Sequence, residues 1–149
     1  MMKYLVIVLS VFFTALSAEA QINPDAIVGR WVALPKKNFI VEVFKSSNQY
    51  KAKIAWFKDT DDKSKPMKVR TDEKNPDPAL RKRKLIGLEV LNNLVFNPKT
   101  NQWESGKIYD AKSGRIWDSS ASLAYDGTLQ VRGFWHFEFI GRNMSFKRV

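Results

Sequence analysis

One histidine, His136, and no cysteine limit the nucleophilic chemistry open to this chain. A Ser-His-Asp triad would need His136 as its base, and the surrounding "FWHFEF" reads more simply as an imidazole set among strand aromatics. A Cys-His pair is excluded outright. The segment "DTDDKSKPMKVR" begins as a calcium loop does, with Asp59 and Asp61 at its first and third positions. It then departs from that pattern, because Lys63 takes the fifth position, Ser64 the place of the glycine, and Arg70 that of the closing glutamate. A solvated acidic loop accounts for it, so no metal site and no cofactor is expected. No P-loop, dinucleotide glycine pattern or HExxH occurs. Asp77, Glu89, Asp110, Asp118 and Glu138 would make an acid–base pair only if the fold brought two together, and nothing in their spacing requires that. Catalysis therefore has no positive support, and a non-catalytic role is the expectation.

The charge offers a different chemistry. The chain carries a formal net charge of +10, which favours polyanions or acidic surfaces without selecting a fold. Four cations in a row, Arg81, Lys82, Arg83 and Lys84, follow "NPDPAL" and run into an apolar segment. In a strand, Arg81 and Arg83 would project to one side and Lys82 and Lys84 to the other, so the four make no single flat patch. The junction reads as a loop or short helix at a rim, with Arg81 or Arg83 folded back onto Asp77 or onto the aspartates of the long polar stretch 58–80. An anion site at Arg81 and Arg83 is the alternative. Trp56, Tyr109, Trp117 and Trp135, interleaved with basic residues, would suit a platform that stacks single-stranded bases. Large aromatics that alternate on strands are more often core, and the apparent export of the chain argues the same way. No nucleic-acid partner is expected.

The elements that must position these residues are strands. "YKAKIAW" puts Tyr50, Ala52, Ile54 and Trp56 on one face, and "FIVEVFK" sets Phe39, Val41 and Val43 opposite Ile40, Glu42 and Phe44. Further strand-like runs cover 29–34, 85–96, 103–109, 115–124, 128–134 and 143–149, about eight in all. Between them "NPKTN" and "DAKSG" read as type I turns in which Asn101 and Gly114 take positive φ, and "YDGT" as a two-residue hairpin. No helical crossover intervenes, so the strands connect antiparallel. The exception is 58–80, a polar stretch too long for a hairpin loop, in which Asp77 and Pro78 can open one helical turn. Closure into a barrel removes the exposed edges that a sandwich would keep. An outer-membrane barrel would place Lys51, Lys53, Lys107 and Lys147 inside lipid-spanning strands, so a soluble barrel is preferred.

Residues 1–20 stand apart. A positive start with Lys3, the apolar "YLVIVLSVFFTAL" and the small-x-small end at Ala18 and Ala20 form a signal peptide, with cleavage expected before Gln21. The apolar run is short for a spanning helix. Residues 21–149 then form one domain, secreted or periplasmic, held by burial alone because no disulfide is possible.

"GRW" (Gly29 to Trp31), "KIAWFKD", "NPDPALRKRKLIGL", "GKIYDAKSGR", "LQVRGF" and the terminal "FKRV", in this order, resemble the bacterial domain of unknown function 2147 family. The resemblance spans essentially all of 21–149 and implies a small exported lipocalin-like barrel with no established activity. Two positions depart from the family pattern: Ala111 stands where proline is frequent, and Ile86 where some members carry cysteine. Lipocalin-like barrels commonly lay an arginine of the last strand over a first-strand Gly-x-Trp. The resemblance therefore implies that Arg148 stacks on Trp31 beside Gly29, with Arg142 as the substitute. The expected function is binding of a small or extended ligand at a mouth lined by Trp56, Tyr109, Trp117 and Arg132. The alternative is an envelope-associated protein whose basic surface meets anionic lipid or polymer. The sequence leaves the oligomeric state open.

Overall fold

The computed structural model describes residues 20–134 and 141–149. The segment expected to be a signal peptide, with the exception of Ala20, and Trp135, His136 and Glu138 lie outside them. Eight strands, β1 (Gly29–Leu34), β2 (Phe39–Ser46), β3 (Gln49–Phe57), β4 (Glu89–Asn97), β5 (Gln102–Asp110), β6 (Arg115–Leu123), β7 (Leu129–Phe134) and β8 (Gly141–Arg148), follow one another around a closed barrel. Every neighbouring pair is antiparallel, and β8 returns to β1 with Trp31 opposite Arg148. Closure leaves no strand edge among the described residues to recruit another chain.

Alternation sets most of the inner face, and four irregularities set the rest, one of them the extra residue Val90 between the pairs Ala52/Leu91 and Lys53/Glu89. Leu91 and Leu94 both belong to the core although they are three apart, because a bulge at Asn93 (φ 60°) adds a residue opposite Lys51. Trp103 and Gly106 turn inward by the same device, with Ser105 at φ 62°. These extra residues bend β4 and β5 enough for a small ring to close. A further bulge lies between Ile40/Trp56 and Val41/Ile54. It moves Trp56 off the face of Ile54 and pairs it with outward Ile40, so the strict alternation expected for "YKAKIAW" holds only as far as Ile54.

Gly106 is the one interior glycine that packing demands. A Cβ there would lie 2.3 Å from the Ser119 Oγ and 2.8 Å from a Leu94 methyl carbon.

The outer wall carries cross-strand ion pairs: Glu42 with Arg30 and Lys53, Lys107 with Asp118, and, on a diagonal, Lys51 with Glu89. Lysines at the middle of a lipid-facing wall would each cost about 2–4 kcal/mol, so this surface suits water.

Two turns match their sequence signatures, with Asn101 at φ 55° and Gly114 at φ 71°. The "YDGT" turn is wider than a two-residue hairpin. Gly127 N–H donates to Ala124 O, Asp126 accepts from Thr128 N–H, and Gly127 takes φ 81°, which is a type I turn closed by a left-handed glycine. The fourth strand begins at Glu89 rather than Leu85, since Gly87 takes φ 80° and residues 85–88 still belong to the long connection.

Candidate functional site

Strictly alternating connections give the barrel two different ends. The segment before β1 and the β2–β3, β4–β5 and β6–β7 turns share one end; the β1–β2, β3–β4 and β5–β6 connections share the other.

The first end is plugged. Residues Pro24–Ile27 form a 3-10 turn capped by the Asn23 side chain, and Ile27 enters the core. The Trp31 indole donates to Ile27 O at 2.8 Å and the Trp103 indole to Pro24 O at 3.1 Å. Arg148 lies over Trp31 with its guanidinium carbon 4.3 Å from the ring centroid. Its nitrogens donate to Val28 O at 2.8 Å and to Ala26 O. A Cβ on Gly29 would sit 2.6 Å from that guanidinium, so glycine leaves the arginine its place. Gly29, Trp31 and Arg148 are thus brought together. Tyr50 donates to Asp25 at 2.5 Å, with Lys45 at 3.0 Å on the same oxygen. The phenol and Lys45 hold the Asp25 carboxyl below the usual range, while burial and the Asp25 charge push Tyr50 up to about 12.

The opposite end is dominated by the long connection 58–88. Its acidic part folds around a cation supplied by the chain itself. The Arg70 guanidinium contacts Asp61 at 2.8 and 3.2 Å, and donates to Asp59 O at 3.0 Å and Lys65 O at 2.6 Å. It also lies 5.7 Å from the Phe57 ring centroid. Arginine therefore fills the centre that a calcium ion would take, and Asp61 raises the Arg70 pKa further.

The second part of the connection is organised by Asp72, which is fully buried. Tyr109 donates to it at 2.5 Å, Asn75 at 2.8 Å and Arg83 at 2.9 Å. Burial alone would raise the Asp72 pKa, but these three donors hold it below the ordinary value. Burial and the carboxylate push Tyr109 up to about 12. The four-cation run is divided by this network. Arg83 pairs with Asp72, Arg81 donates to Asn75 O at 2.7 Å, and Lys82 and Lys84 are exposed. Asp77 caps the turn Pro78–Leu80.

The four residues expected at the mouth are not gathered. Trp117 is half-buried on the inner wall, paired with Ile108 and next to Gly133. Trp56 is on the outer face. Tyr109 alternates with inward Ile108 and is fastened to the long connection. Arg132 pairs with Ser120 on the outer face and donates to Asn143 at 3.1 Å. Sequence reasoning missed Asp72, Asn75 and Trp103. The loop has no periodicity that marks a buried carboxylate, although the run of Asn, Asp and Pro in "NPDP" signals its turns.

Two further features bear on chemistry. The Ser119 Oγ is buried without a hydrogen-bond partner among the described residues. A shallow outer cleft of about 240 Å³ at the β5 bulge is lined by Glu104, Ser105, Gly106, Asp118, Ser119, Ser120 and Phe134. Asn97 and Thr100 lower the Glu104 pKa, which disfavours it as a proton donor, and Asp118 is paired with Lys107. Among the described residues no cluster of three metal-binding side chains occurs.

This geometry defines a class: an eight-stranded lipocalin-like barrel, plugged by tryptophans at one end and ringed by loops at the other. The chain belongs to the bacterial family described as "Uncharacterized protein conserved in bacteria (DUF2147)", whose sequence model matches residues 29–148. In fold it is similar to protein HP1028 from Helicobacter pylori, described as belonging to the lipocalin family. The two share 23% identity over 82% of each chain, with a TM-score of 0.68. No curated protein matches the chain.

Proposed function

We propose that this is an exported, non-catalytic binding protein that takes a small, largely apolar ligand into the barrel through the looped end. The observation that carries the reading is the difference between the two ends. One is sealed by Trp31, Trp103 and Ile27, while toward the other the inner wall is built from Ile108, half-buried Trp117 and Gly133. Past Trp117 on the same face of β6 comes Ser119, whose hydroxyl, unpaired among the described residues, would give an entering ligand one polar contact; leaving such a group unpaired costs about 1–3 kcal/mol. Lipocalin-like barrels of eight strands have room for one small ligand, and the signal sequence accords with a role outside the cytoplasm.

The test is native mass spectrometry of the protein from its own host, together with titration by a fluorescent acyl probe. A copurifying small molecule and saturable probe binding are expected. Gly133→Val, which adds bulk to the inner wall where a Cβ meets only ordinary contacts, should weaken the probe about tenfold. A protein that arrives empty and binds the probe equally well with and without that valine would refute the proposal.

A further inference from the structure

The charge of the molecule is unevenly placed along the barrel axis. Over the described residues, the connections at the looped end sum to +7: ten Lys or Arg against six Asp or Glu in 58–88, plus Lys36, Lys37 and Lys112. The segment 20–28 and the three turns at the plugged end sum to −1. Many of the looped-end cations are also unused by the fold. Lys36, Lys58, Lys68, Lys82, Lys84 and Lys112 have no acidic partner within 4 Å among the described residues. By contrast, the acidic groups of the same connections are largely occupied: Asp61 by Arg70, Asp72 by Arg83, Glu73 by Lys65, and Asp77 by its own turn. What this end presents outward is positive.

We infer that the looped end docks on an anionic lipid bilayer, with the barrel axis turned toward the membrane. Three observations select a bilayer over a linear polyanion. The cations are spread over three connections, from β1 around to β6, so no track follows one strand or groove, and only a flat surface meets all of them together. Exposed apolar side chains stand among them, namely Trp56 at 38%, Val69 at 49% and Ile116 at 61% exposure. An indole beside lysines is the pairing that settles at the headgroup level. The plugged end also has exposed apolar groups, Tyr125 among them, but lacks the charge, so attraction to anionic headgroups orients the molecule one way. This inference does not depend on the ligand reading, since a filled barrel would dock equally.

The test uses the chain from Gln21, which keeps the whole ring and its plug, in flotation with vesicles of phosphatidylglycerol or of phosphatidylcholine alone. Binding to the anionic vesicles only is expected, and it should fall steeply between about 50 and 500 mM salt. The double variant Lys82→Glu/Lys84→Glu should bind at least about tenfold more weakly, whereas Lys99→Glu, at the plugged end, should bind as wild type. Circular dichroism checks that each variant is folded, and Lys36→Glu/Lys37→Glu repeats the test on a separate connection should the first misfold. Absence of binding to phosphatidylglycerol at low salt would overturn the inference. So would an equal loss from Lys99→Glu, or binding to soluble heparin with none to the vesicles.

Discussion

Both ends of the barrel are fastened by a tyrosine that donates to an aspartate at 2.5 Å, yet the two pairs do different work. Tyr50–Asp25 ties the plug to the β3 wall, and Asp25 faces water. Tyr109–Asp72 ties the long connection to β5, and Asp72 is fully buried. Water can replace a lost partner at Asp25. It cannot at Asp72, where the charge is tolerable only because three side chains point at it. The same pair of residue types is thus an accessory fastening at one end and an obligatory hub at the other.

The largest effect should come from Asp72→Ala, which strands the Tyr109 hydroxyl and the Asn75 amide and releases Arg83. A loss of about 3 kcal/mol is expected in chemical denaturation, with only a small shift for Asp25→Ala. Equal losses would break the contrast. Next, Tyr109→Phe should cost about 1.5–3 kcal/mol and Tyr50→Phe about 1 kcal/mol, because the hydrogen bond is to a charge in both and rehydration helps only the second.

Titration sharpens the same point. Asp72 is lowered in the folded protein, so its contribution is present above about pH 4 and is lost as pH falls through the folded value. Comparing denaturation at pH 5 and pH 3 should show a larger drop for wild type than for Asp72→Asn. Both tyrosines are raised to about 12; their contribution is full below about pH 10 and disappears as pH rises toward 12. Ultraviolet difference spectra should resolve two late-ionising phenols, one absent in each Phe variant. Arg148→Lys should cost about 0.5–2 kcal/mol from the lost stacking over Trp31, read as a lower melting temperature.

Much of the barrel was legible because burial on one face of a strand leaves a period of two in the sequence. The turns were legible where a single residue must take positive φ, as Asn101 and Gly114 do. What escaped were departures from that period. Nothing in "KIAWFKD" marks the bulge that turns Trp56 outward, and nothing in "LNNLVF" or "WESGK" marks the extra residues that let Leu91 and Leu94, or Trp103 and Gly106, share the interior. The Arg148–Trp31 contact followed from family likeness. Asp72 was invisible for a different reason: one of the donors that make its burial tolerable, Tyr109, lies 37 residues away, and a polar loop carries no periodic trace of such a partner.

The guanidinium held inside residues 59–65 has a last consequence. Loops rich in aspartate often rely on a divalent ion from the surroundings, and they loosen when chelators or dilution remove it. Here the counter-charge is a side chain of the same polypeptide, so the order of this loop should be indifferent to calcium supply, and EDTA should leave the melting curve where it was.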